Sequence, residues 1–147
     1  SSYSHLTGNI DDEEQALRGA LAYFNRAISS GSVQLEALRL SATTLVRLTR
    51  LVDEDVGTQY FRDAEKRLLK VEEHARGRGA YNLACINALQ GKSRAARRWL
   101  KKAKRHGGLP AIEVIKEDND LESVRSQRWF RELLKPAATS PLTRNDR

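Results

Sequence analysis

The stretch AYNLACINALQGKSRAARRWLKKAKRHGG, Ala80 to Gly108, decides the fold. Small and bulky apolar residues recur at helical spacing on both sides of Gly91: Leu83 and Ala84 before it, and Ala96, Leu100 and Ala103 after it. A glycine between two such runs stops one helix and lets the chain turn into the next. The spacing predicts two antiparallel helices packed as a pair. One pair cannot bury its own apolar faces, so further pairs must stack on it.

The same small, bulky, medium spacing recurs at Ala64, Leu68 and Val71, and in related form at Ala20, Phe24 and Ala27. Residues 1–10 read as a flexible lead-in, and Asp11-Asp12-Glu13-Glu14 supplies the acidic start of a first helix running to about Ser30. After a turn at Ser29 to Ser32, Leu38, Ala42, Leu45, Leu48 and Val52 outline a second helix, ending near Asp53-Glu54-Asp55. Gly57 and Thr58 then open a third, and Gly77 and Gly79 break the chain before the fourth. Beyond Pro110 the pattern predicts a short helix and then one capped by Asp120, with Leu121, Val124, Phe130, Leu133 and Leu134 on its apolar face. The tail 135–147, rich in Pro, Ser, Thr and Asn, has nothing to pack and is expected to be disordered.

These positions resemble the tetratricopeptide repeat. The resemblance covers residues 11–134 and is most specific from Ala80 to Leu134, where Asp118, Asp120-Leu121, Arg125, Phe130 and Leu133-Leu134 are similar to segments that close bacterial arrays of this family. It implies an all-α, right-handed α-solenoid of antiparallel helix hairpins with about six to seven helices. Ser41 departs from the pattern, standing where a bulky residue is usual. The resemblance further implies a non-catalytic adaptor that binds a protein or peptide in a concave groove lined by the first helix of each pair. Carried over by position, that groove comprises Arg39, Thr43, Arg47, Arg78, Tyr81, Asn82, Cys85 and Leu89. Asn82 would hydrogen-bond the ligand backbone, its amide supplying donor and acceptor, and the arginines would favour acidic groups. Asn82 and Tyr81 would serve local packing equally well. The Lys and Asn set with which chaperone-binding members clamp a terminal carboxylate is not complete here.

At 147 residues, with few aromatics and only Pro110, Pro136 and Pro141 as prolines, the chain suits one helical domain. A lone Cys85 forms no intrachain disulfide and fits a reducing, cytoplasmic setting. No apolar run approaches the roughly 20 residues that span a bilayer. The lack of any methionine fits a product cut from a longer polypeptide.

Eight of the 26 Lys and Arg residues lie between Lys92 and His106 without an acid, leaving 18 to balance 19 acids elsewhere. On a helical wheel Ala95, Ala96, Trp99, Leu100, Ala103 and His106 share one arc; Arg94, Arg97, Arg98, Lys101, Lys102, Lys104 and Arg105 share the other. A solvated outer face explains this segregation. Its functional alternative is a polyanion-binding module using Arg94, Arg97, Arg98, Lys101, Lys102 and Arg105 on nucleic acid, without base stacking because no aromatic interleaves them. A third reading is homo-oligomeric scaffolding, if Leu17, Leu21 and Phe24 lack cover within the chain. No membrane role follows, since the apolar arc is mostly alanine.

Enzyme signals are weak. Gly91-Lys92-Ser93 lacks the earlier glycine and strand of a phosphate loop, and Gly77-Arg78-Gly79 lacks the third glycine of a dinucleotide fingerprint. His5, His74 and His106 have no metal-ligand spacing with one another or with Cys85. The expectation is no catalytic residue, no metal and no cofactor.

Overall fold

The computed structural model describes residues 2–29 and 34–136, with side chains from Asp11 onward. Every element is helical: α1 (Ser2–Ser29), α2 (Leu35–Leu48), α3 (Glu54–His74), α4 (Ala80–Leu89), α5 (Ser93–Arg105), α6 (Ile112–Glu117), a 3-10 helix (Asn119–Val124) and α7 (Arg128–Leu134). No strand occurs among the described residues, and no helix there is long and apolar enough to cross a membrane. Of the turn expected at Ser29 to Ser32, Ser29 ends α1 and residues 30–32 fall outside the described residues, as does nearly all of the tail.

Three boundaries differ from the sequence expectation. α1 incorporates residues 2–10, read above as a lead-in. The acidic run Asp53-Glu54-Asp55 starts α3 instead of closing α2: the Asp53 carboxylate accepts from the Val56 N–H and the two acids behind it sit in the first turn, where the helix dipole favours negative charge. The final helix is divided. Asp118, not Asp120, is the cap, its side chain accepting from the Asp120 N–H, and the chain passes through the six-residue 3-10 helix before α7 begins. This division raises the count to eight helices among the described residues.

α4 explains how the layers are held. Seven of its residues are buried: Ala80, Leu83, Ala84, Cys85, Ile86, Asn87 and Ala88. A helix apolar all round must be covered on both sides. Leu83 and Ile86 meet Ala42 and Leu45 of α2 and Ala64 and Leu68 of α3. Ala84, Cys85 and Ala88 meet Ala96 and Leu100 of α5, Ile115 of α6, and Leu121, Val124, Phe130 and Leu133 beyond. The triplets Ala64, Leu68, Val71 and Ala96, Leu100, Ala103 are all at most 1% exposed, as their spacing predicts. Ser41 fits a buried position because its hydroxyl donates to the Leu38 carbonyl at 2.9 Å. α1 packs along α2, where Leu17 is buried and Leu21 joins the α2–α3–α4 cluster. Leu17 and Leu21 thus have the cover within the chain that the scaffolding reading assumed they lacked, and Phe24 is half-buried.

A buried carboxylate fixes the turn between α3 and α4. Glu72, 5% exposed, accepts from the Gly77 N–H at 2.8 Å and the Gly79 N–H at 3.0 Å, with Lys102 Nζ of α5 4.0 Å away. Gly77 has φ 92°, a conformation L side chains avoid. The turn after α5 is pressed against it so closely that a Cβ on Gly108 would lie 2.1 Å from the Gly77 carbonyl oxygen. Replacing Glu72 by Ala would leave two buried N–H groups unsatisfied, at a cost of about 2–4 kcal/mol. Thermal unfolding of Glu72→Ala should fall by roughly 6–12 °C, while exposed Glu73→Ala should be near neutral; equal shifts would contradict the clamp.

Candidate binding face between α2 and α4

Residues one turn apart on α2 and α4 point to the same side, so side chains projecting beyond the shared core line a common surface. All eight groove residues named from the sequence border one of three adjoining cavities on that surface. Arg39, Arg78, Tyr81 and Asn82 border a cavity of about 560 Å³. Thr43, Asn82 and Cys85 border a narrow void. Thr43, Arg47 and Leu89 border a cavity of about 340 Å³ at the other end.

The two ends differ in charge. The larger cavity adds Arg76 and His106 from the clamped turns, and no acid among the described residues lines it. The Glu72 clamp therefore positions the Arg76 and His106 side chains as well as a turn. At the opposite end Arg47 and Arg50 face Glu117, Asp118 and Asp120. Arg47 therefore does not stand in a purely basic setting as Arg78 does, because the C-terminal segment brings its own carboxylates onto the α4 face. Packing is the cause: Leu121 and Val124 must cover Ala84 and Ala88, and Ser123 Oγ donates to the Ala88 carbonyl at 2.8 Å.

Most candidate side chains already have partners. Arg39 pairs bidentately with Glu36, which raises the guanidinium pKa and lowers that of the carboxyl through their mutual hydrogen bonds. Thr43 Oγ1 donates to the Arg39 carbonyl at 3.1 Å. Tyr81 donates its hydroxyl to Asp118 Oδ2 at 2.6 Å, and burial, with the neighbouring Cys85 and Asp118, pushes its pKa far up. Cys85 is buried in the core, with Sγ 3.8 Å from the same Asp118 oxygen, and reaches this face only at the narrow void. Burial, then Asp118 and Asp120, raise its thiol pKa well above the usual value, so it stays protonated near neutral pH. Asn82 is different. It is half-buried where the larger cavity meets the narrow void, and its amide makes no hydrogen bond among the described residues.

Cys85, Asp118 and Asp120 bring donor atoms within 4.8 Å of one another, a grouping that sequence spacing did not reveal. The thiol and the Tyr81 hydroxyl already converge on Asp118. The sequence also missed Arg76, His106 and Arg50, all of which belong to turns or helix ends whose neighbours are set by tertiary packing.

Three expectations about α5 need revision. Lys102 does not join an open cationic face; it is half-buried, near Glu72 and 5.2 Å from the Trp99 ring centroid. His106, placed by the wheel on the apolar arc, is exposed after the helix ends. Nor is the cationic face without an aromatic, because α7 lays Trp129 beside it, with Arg97 Cζ 6.0 Å from the ring centroid. Arg94, Arg98, Lys101 and Arg105 are exposed as expected.

Asp120 provides a pH signature of this face. Its pKa lies above the usual 3.8 because of desolvation and then Asp118, with Arg50 opposing. A raised carboxyl pKa means that the folded chain keeps this proton to higher pH than the unfolded chain, so the group's contribution to stability is lost as pH rises through that window. Asp120→Asn should therefore gain stability over the parent between acidic and neutral pH, with the gain disappearing below about pH 4. Denaturant melts across that range check this; a difference independent of pH would contradict it. Comparison of the chain with protein-family models, curated proteins and solved structures finds no match in any of the three.

Proposed function

We propose that this chain is a tetratricopeptide-like adaptor, a right-handed stack of helix hairpins that holds an extended acidic peptide on the α2–α4 face without catalysing a reaction. The observation that carries the reading is the unpartnered amide of Asn82 at the edge of a cavity lined by Arg39, Arg76, Arg78 and His106 and by no acid among the described residues. A half-buried amide gains most from a ligand that offers both an N–H and a C=O, which is what a peptide backbone presents. Beside it, Arg76 and Arg78 supply charge for a carboxylate, with bidentate geometry available to each guanidinium. Arg39 contributes less, since Glu36 already occupies it.

The opposite end, with Glu117, Asp118 and Asp120, would repel an acidic residue and accept a basic or apolar one against exposed Leu89. The reading thus predicts polarity in the ligand: acidic where it meets Arg76 and Arg78, and neutral or basic where it meets Leu89. A cytoplasmic setting agrees with a single buried thiol.

Selection from a random decapeptide library should return sequences with that polarity. Asn82→Ala combined with Arg78→Ala should weaken the selected peptide by about 2 kcal/mol or more, roughly thirtyfold, with unchanged helicity by circular dichroism. Unaltered affinity in the folded double variant would remove the groove from the account.

A further inference from the structure

The second large cleft lies on the other side of α5, where α7 packs beside it, and it is independent of the α2–α4 face. It encloses about 840 Å³ and is lined by Arg97, Lys101, Lys104, Arg105, Arg128 and Trp129, with Glu132 as its acid. Glu132 lies 3.4 Å from Lys135, so its charge is partly answered outside the cleft. Lys104 holds the wall in place, donating to the Leu133 carbonyl at 2.7 Å and the Lys135 carbonyl at 3.3 Å. Four cations are left facing solvent around one indole ring.

The geometry points to a binding site for single-stranded nucleic acid in this cleft. From Arg94 to Arg105 the cationic face of α5 runs about 16 Å, long enough to follow successive phosphates. Half-buried Trp129, held edge-on against Phe130 with ring centroids 5.9 Å apart, carries the Arg97 guanidinium over its ring, and a base can stack on this fixed ring and guanidinium pair. A duplex fits less well. The cations line a cleft whose other wall is α7, and a flexible single strand enters a cleft between two helices more readily than a rigid duplex. A lipid surface fits poorly too, because Ala96, Leu100 and Ala103 are buried in the core and leave no apolar face to insert. An acidic peptide would use the charges but not the ring.

Fluorescence anisotropy of the full chain with a labelled oligothymidylate tests this. Binding should weaken with salt at a log–log slope of about −2 to −3, as expected for about four phosphate contacts on a single strand. The Arg97→Gln, Arg105→Gln variant, altered only at exposed positions, should flatten that slope by about 1.4. Trp129→Ala should weaken binding about fivefold or more without changing the slope. Because Trp129 also packs against the core, Trp129→Phe is the companion variant: it should keep the fold and bind between the two. Quenching of Trp129 fluorescence by the oligonucleotide, read in a Trp99→Phe background, should accompany binding. The proposal is overturned if Trp129 is not quenched and Trp129→Phe binds like the parent. It is also overturned if poly-glutamate or a duplex of equal charge binds as tightly as the single strand.

Discussion

The carboxylate of Glu72 is the interaction on which the rest of the structure depends. It is buried, so it must be paired, and its partners are the N–H groups of Gly77 and Gly79 and, more distantly, the Lys102 ammonium. Those contacts stop α3, set the start of α4 and connect both to α5. The turn so formed is tight enough that Gly79 lies against the Leu68 carbonyl and Gly77 against Gly108. With the turns abutting through bare backbone, Arg76, Arg78 and His106 are brought to the rim of one cavity. A polar clamp at the helix junction thereby becomes the scaffold of the cationic end of the α2–α4 face.

The chain's positive excess is concentrated in α5, yet the two candidate surfaces draw on it differently. The α2–α4 face takes its charge from the turns flanking α4 and receives carboxylates from the C-terminal segment, so it is polarised along its length. The α5–α7 cleft takes most of its charge from one face of α5, and its aromatic, with Arg128, from α7. Asp118 is the joint between these regions. It caps the 3-10 helix, accepts from Tyr81 and raises the pKa of Cys85, coupling the closing segment to the α2–α4 face.

Helical periodicity made the fold legible wherever both sides of a helix are packed. The runs at Leu38 to Leu48, Ala64 to Val71 and Leu83 to Ala103 appear in the structure as buried stripes, because burial leaves a period in the sequence. Boundaries were less legible. Asp53 could close one helix or cap the next, and only the Val56 N–H it accepts from distinguishes the two. The division before α7 escaped notice because Leu121, Val124 and Phe130 suit one continuous apolar face as well as two short helices. For the binding face, α2 and α4 positions could be read from register, whereas Asp118 on Tyr81 and Trp129 beside Arg97 could not. Those partners come from elements brought together only by the core, and no spacing along one helix records them.

The central claim is that the α2–α4 face, and Asn82 in particular, receives a peptide. Amide and side-chain chemical shifts of the labelled protein, followed while a selected acidic peptide is added, test it most directly. The largest changes should fall on the Asn82 side-chain amide, Arg76, Arg78 and Thr43, with the Glu72-held core undisturbed. Changes confined to the α5–α7 cleft, or spread evenly over the charged surface, would contradict it.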